Sequence, residues 1–213
     1  MTLRLHLHPG TSGLAPHVAI VATGAAFDLV TINLFRGEHR TPAFQKLNPF
    51  CTAPVLEDEG EVIPETGAIL LHLAERFPSA RLLPTGKRER QSALRWLFHA
   101  AALHADFMTW RRAEFALNDD SQSKAAVQAW MGRRLEAAFR ATDQGMTGPF
   151  LSGETLSIAD IYVFMIAGWW ASKFDFARDT PRLYACMSAV ADTDHARKAY
   201  ETQGVAIPAF SPV

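Results

Sequence analysis

Thr11 and Ser12 stand between Pro9-Gly10 and an apolar helical run that opens at Leu14, so two hydroxyls are presented where a helix begins. A hydroxyl in that place can cap the helix by accepting a backbone N–H, or it can donate to an anion such as a thiolate. Glu65-Thr66 opens another helix, whose unpaired N–H groups and positive dipole end suit a carboxylate. Cys51 and Cys186 are too few for a disulfide framework. Cys51 beside Pro54 reads as a small packed hydrophobe or as a reactive thiol, whereas Cys186, within Leu183-Tyr184-Ala185-Cys186-Met187, reads as core. His6 and His8 share a strand face with no third ligand nearby, which argues against a metal site. His39, before Thr41-Pro42, reads either as a solvated loop residue or as a ligand. His104 lies on an apolar helical stripe, where it is packed or faces a substrate.

The elements that must position these residues change character along the chain. Thr2 to Leu7 alternates as a strand and stops at Pro9-Gly10, Leu14 to Thr23 reads as a helix, and the β-branched run Asp28 to Phe35 makes a second strand before Gly37. This is a βαβ unit, with its strands parallel. A short helix over Pro42 to Leu47 follows, then a hairpin of Val55-Leu56 and Val62-Ile63 about Asp58-Glu59-Gly60-Glu61, then a helix from Thr66 to Phe77. The order βαβαββα occupies residues 1–78, and the Pro- and Gly-containing stretch 79–86 reads as a linker. Residues 87–213 read as an all-helical domain. Its first helix, Lys87 to Phe115, carries Leu94, Leu97, Ala101, His104 and Met108 on one stripe, and Ser123 to Thr142 forms a second. Ser157-Ile158-Ala159-Asp160 is a capping box with Leu156 as its staple, and Arg182 to Ala191 and Thr193 to Gln203 close the chain. The expected fold is α/β plus all-α.

With 21 basic and 22 acidic residues the net charge is −1, which excludes a nucleic-acid binder that works by overall positive charge. The 48% apolar content suits a packed globular chain rather than a disordered one. No apolar stretch reaches the roughly 20 residues that a membrane-spanning helix needs, and the first residues lack a signal-peptide pattern. A cytoplasmic protein without membrane association is expected.

The chain resembles the cytosolic glutathione transferase family, a thioredoxin-like βαβαββα domain followed by an all-helical domain, over nearly its whole length. Asn48-Pro49-Phe50-Cys51-Thr52-Ala53-Pro54-Val55-Leu56 is similar to the family's cis-proline segment, and Glu65-Thr66-Gly67-Ala68-Ile69 to its Glu-Ser-x-Ala-Ile signature. Ser157 to Asp160 is similar to its capping box. Pro9 to His17 is most similar to the bacterial beta class, and Gly37 to Phe44 to the delta and theta classes, so no class is assigned.

The resemblance implies a homodimeric enzyme that takes glutathione as co-substrate, with no permanently bound cofactor and no metal, and conjugates it to a small hydrophobic electrophile. Glutathione is an extended anionic tripeptide, which a sheet edge can hold as an added strand. Thr52, Ala53 and Pro54 would offer that edge, the α-carboxylate of its glutamyl residue would meet the helix start at Thr66, and Glu65 would hold the ammonium. His39 or Arg36 would meet the glycine carboxylate. A thiol of ordinary pKa is only a few per cent ionised at neutral pH, so a hydrogen bond that stabilises the thiolate raises the nucleophilic fraction, and a hydroxyl at the start of the first helix can supply it. Ser12 takes that role in the beta-like alignment and Thr11 in the delta-like one. His104, Met108 and Trp169 are the expected lining of the second-substrate pocket. Two other outcomes stay open: a transferase-fold protein that binds partners without catalysis, and a glutathione-dependent disulfide reductase or isomerase.

Overall fold

The computed structural model describes residues 2–210. The chain divides into two compact units, one made of residues up to Thr85 together with Val190–Ile207, the other of Gly86–Ala189 with the segment from Pro208.

In the first unit, strands β1 (Leu3–Leu7), β2 (Phe27–Thr31), β3 (Val55–Asp58) and β4 (Glu61–Pro64) form one sheet in the order β2-β1-β3-β4. β1 pairs parallel with β2 and antiparallel with β3, and β3 pairs antiparallel with β4. The parallel pair requires the crossover through α1 (Leu14–Thr23). Leu3, Leu5 and Leu7 alternate onto one face and are buried, and α1 packs with α3 (Thr66–Arg76) to cover the apolar side. On the other face α2 (Pro42–Leu47) lays Phe44 against Ile32 and Val55. Glu59 and Gly60 both take positive φ, the backbone that a tight two-residue hairpin demands.

The second strand is shorter than its β-branched run predicts. It ends at Thr31 because Asn33 turns the chain: its side-chain oxygen accepts from the Arg36 N–H, and its own N–H donates to Glu38.

The second unit is helical, with α4 (Lys87–Ala116), α5 (Ser121–Gly145), α6 (Ile158–Trp170), α7 (Phe176–Asp179) and α8 (Pro181–Ala191). α6 is buried on nearly every side, which its uniformly apolar sequence requires. The capping box forms at its start. Asp160, fully buried, accepts from the Ser157 N–H and hydroxyl, from the Leu151 N–H and from the Cys186 thiol. Cys186 is core, as its surroundings in the sequence suggest.

On α4 the buried stripe is Ala93, Trp96, Leu97, Ala100, Leu103 and Phe107. It is turned by one residue from the expected one. Trp96, Leu103 and Phe107 take the centre, so His104 and Met108 are left half-buried at its edge. The final helix, α9 (Asp194–Thr202), packs on α1 of the first unit, although the sequence pattern groups it with the helices before it.

Candidate functional site

Three segments of the first unit meet at the start of α1. The loop after β1 places Ser12 beside the segment before β3, and the Ser12 hydroxyl donates to the Ala53 carbonyl at 3.1 Å. The Ala53-Pro54 peptide bond is cis. From the start of α3, the Thr66 hydroxyl reaches the Ser12 carbonyl at 3.4 Å. Gly13 is required here, because a Cβ at that position would lie 2.4 Å from the Cβ of Leu7. That close approach draws the beginning of α1 against β1.

Neither hydroxyl caps α1. Gly13 is its N-cap, without a side-chain bond. Thr11 donates to the His8 carbonyl at 2.7 Å, closing the loop on itself.

At α3, Glu65 precedes the helix with φ 74°, a left-handed backbone uncommon for a residue with a side chain. It makes no capping bond, so its side chain leaves the first-turn N–H groups uncovered. Its carboxylate is exposed, while Thr66 beneath it is buried. Thr52 is held by Asn48, whose side-chain amide donates to both the carbonyl and the hydroxyl of Thr52 at 2.8 and 2.9 Å. Asn48 is fully buried and also accepts from the Phe50 N–H, which makes it the organiser of the segment leading to Ala53. Sequence reasoning passed over it, although an Asn followed by Pro at a helix end is a turn signal. Cys51 has positive φ and is half-buried, with its sulfur 3.8 Å from the Pro49 carbonyl.

His39 and Arg36 lie on the loop after β2. Arg36 is exposed, and His39 is half-buried with an Nδ1 that has no partner among the described residues. Burial, and then the neighbouring Arg40, hold the His39 imidazole below its ordinary pKa. No hydrogen bond or ion pair among the described residues joins either side chain to Ser12, Ala53 or Thr66. The two strand histidines have other partners: His6 meets the Glu57 carboxylate at 2.6 Å and His8 the Ile32 carbonyl at 2.9 Å. No group of three or more metal-ligating side chains occurs among the described residues.

In the second unit His104 and Trp169 come together, their rings 5.6 Å apart. The His104 Nδ1 lies 2.9 Å from the Tyr162 hydroxyl, and burial, then Arg112, push its pKa down to about 4. Phe107 stacks on Trp169 at 4.9 Å, and Trp110 meets Trp170 edge-on at 4.9 Å. Met108 is half-buried on the same helix, one turn beyond His104. Tyr162 and Phe107 were absent from the expected lining. The signal for Tyr162 was its spacing, seven residues before Trp169 and therefore on the same face of α6.

Residues 1–75 match the family model for the glutathione S-transferase N-terminal domain. A maleylacetoacetate isomerase of Pseudomonas aeruginosa is 30% identical over 187 residues, 81% of this chain and 83% of that protein. Glutathione S-transferase 1 of Dianthus caryophyllus is 29% identical over 151 residues, 68% of this chain and 66% of that one, so the match spans just under two thirds of the plant protein. Among solved structures, a sphingomonad glutathione S-transferase complexed with glutathione is 30% identical, with a TM-score of 0.75 over 95% of this chain and 100% of that one.

Proposed function

We propose that this chain, which belongs to the cytosolic glutathione transferase family, joins the thiolate of glutathione to a small hydrophobic electrophile, using the Ser12 hydroxyl to stabilise the thiolate. The observation that carries the reading is the meeting of Ser12, Ala53 and Thr66 at one helix start. In the free protein the Ser12 hydroxyl donates to the Ala53 carbonyl, an acceptor that a docked peptide N–H would take over. The hydroxyl then turns to the sulfur. Thr11 is the weaker candidate, because its proton is committed to the His8 carbonyl within its own loop.

The other contacts follow from charge. The α-carboxylate of the glutamyl residue meets the N–H groups at the start of α3 and the Thr66 hydroxyl, Glu65 holds the ammonium, and His39 or Arg36 meets the glycine carboxylate. The thiol proton leaves to solvent. The sulfur lone pair then forms a bond to the electrophilic carbon, while a leaving group departs with its electron pair, or the π pair of a conjugated double bond shifts to its far end and takes up a proton from solvent. Half-buried His104, Met108 and Trp169, backed by buried Phe107 and Tyr162, would meet the electrophile with one aromatic ring and one neutral imidazole. The assembly we propose is a homodimer.

Likeness to the Pseudomonas isomerase favours a second reading, in which the thiolate adds to a conjugated double bond and is expelled after rotation about the carbon–carbon bond. Both readings are tested by retention on immobilised glutathione, followed by incubation with an activated aryl halide and, separately, with a cis-unsaturated diacid. Loss of free thiol equal to product formed supports conjugation, and turnover of the diacid with no net loss of thiol supports isomerisation. Failure to retain the protein, with neither product formed, overturns both in favour of a partner-binding role.

A further inference from the structure

The loop that presents Ser12 is held at three points. Thr11 closes it on His8, Gly13 is wedged against Leu7, and the Gly10 N–H donates to the side-chain oxygen of Gln203 at 3.1 Å. Gln203 follows α9 directly and is buried. The other end of its amide donates to Nδ1 of His17, on α1, at 2.9 Å.

The direction of this chain of bonds is fixed by chemistry. His17 is fully buried, and burial, then Lys198, push its pKa down to about 4, so at neutral pH the ring is neutral. An Nδ1 that accepts takes the Gln203 NH2 group, which leaves the amide oxygen for Gly10. The reverse orientation would set the NH2 against the Gly10 N–H, donor against donor. The arrangement carries a cost, since Nε2 of His17 is buried with no partner among the described residues. Apolar residues at 17 and 203 would dock α9 on α1 without that cost, so packing alone does not account for the pair.

We infer that Gln203 is a positioning residue for the thiolate-stabilising hydroxyl: aimed by His17, it holds Gly10, two residues before Ser12, and so fixes the loop that carries the hydroxyl. The inference rests on the proposed role of Ser12. Gln203 touches no reacting atom in this scheme, and its effect reaches the sulfur only through the backbone from Gly10 to Ser12.

The test is ultraviolet titration of protein-bound glutathione thiolate in wild type, Gln203→Met and Gln203→Glu, with thermal melts of each. Gln203→Met keeps the length of the side chain and removes both bonds, and should raise the bound thiol pKa by roughly half to one unit, about a three- to tenfold fall in the ratio of thiolate to thiol. Gln203→Glu keeps an acceptor for Gly10 and should restore most of the shift. A lower melting temperature with an unmoved thiol pKa would make Gln203 merely structural and overturn the inference. If Gln203→Met does not fold, His17→Phe keeps a ring in place and removes the group that aims the amide. A thiol pKa unmoved there overturns the inference equally. A shift in Ser12→Ala with none in Gln203→Met defeats this inference alone, whereas no bound thiolate in wild type defeats it together with the reading of the site.

Discussion

Replacing Ser12 by alanine tests whether its hydroxyl acts on the sulfur. If it donates to sulfur, Ser12→Ala raises the bound thiol pKa by one to two units, about 1.4 to 2.7 kcal/mol, and lowers turnover at neutral pH with glutathione affinity nearly unchanged. Thr11→Ala should move the thiol pKa by much less, because that hydroxyl is spent on the His8 carbonyl and can act on the sulfur only by loosening the loop. Ultraviolet titration of the bound thiolate reads both, and equal shifts in the two variants would contradict the assignment. His104 gives a second expectation at this scale. Folded, it binds a proton only near pH 4, whereas in the unfolded chain it does so near 6.5. Between those values the unfolded state takes up a proton that the folded state refuses, so its contribution to stability is whole above about 6.5 and is lost as the pH falls toward 4. Denaturant midpoints measured across this window should fall less steeply in His104→Gln than in wild type. Asp160, whose pKa is raised by burial, acts in the opposite sense in both proteins and cancels in the comparison.

At the scale of elements, Asp160 ties the start of α6 to the segment before it. Asp160→Asn would set an NH2 against the backbone and hydroxyl donors that now converge on the carboxylate, and urea unfolding should show a loss of about 2–3 kcal/mol. This device was legible in the sequence, because a capping box is local: its partners lie three residues apart. The hairpin was legible for the same reason, the parallel βαβ unit from its change of period between strand and helix, and the Ala53-Pro54 segment from its resemblance to the family's cis-proline segment. Departures arose where distant packing, or a side chain competing for the backbone, decides. The α4 stripe turned by one residue because Trp96 and Phe107 hold the centre, which a helical period cannot reveal when apolar residues occupy adjacent positions. The strand after α1 stopped early because one side chain, Asn33, competed with the sheet for backbone groups. In the site, Ser12, Ala53 and Thr66 were named from the sequence, but the bonds among them span 41 and 54 residues and required coordinates. Asn48 and Gln203 were missed because each acts through backbone atoms of other residues.

For the whole molecule, the proposed homodimer would cover apolar side chains that a single chain leaves exposed. Phe50 is 73% exposed in the first unit and Phe98 69% exposed in the second, and large exposed apolar side chains mark contact surfaces where they belong to a patch. Sedimentation at micromolar concentration should give twice the 23.5 kDa chain mass, and Phe98→Glu should shift the species toward the single chain without changing its far-ultraviolet spectrum. A single-chain mass for wild type would contradict the proposed homodimer. Among the described residues no helix is long and apolar enough to cross a membrane.

The first unit draws on both ends of the chain, since Val190–Ile207 belong to it and α9 lies on α1. During synthesis the ribosome therefore releases the sheet, α1 and α3 long before the segment that covers α1 has been made. Until then His17 and its apolar neighbours on that face of α1 lack their cover, and the loop carrying Ser12 lacks its hold on Gly10. The helical unit waits only for the short segment from Pro208, which sets Phe210 among Phe164, Phe176 and Tyr184. The bulk of the second unit, Gly86 to Ala189, is thus made before the segment that completes the first, against the usual order in which an N-terminal domain is finished first. A released chain truncated at residue 190 should show a protease-resistant helical region and a sensitive sheet domain, and the 213-residue chain should resist in both.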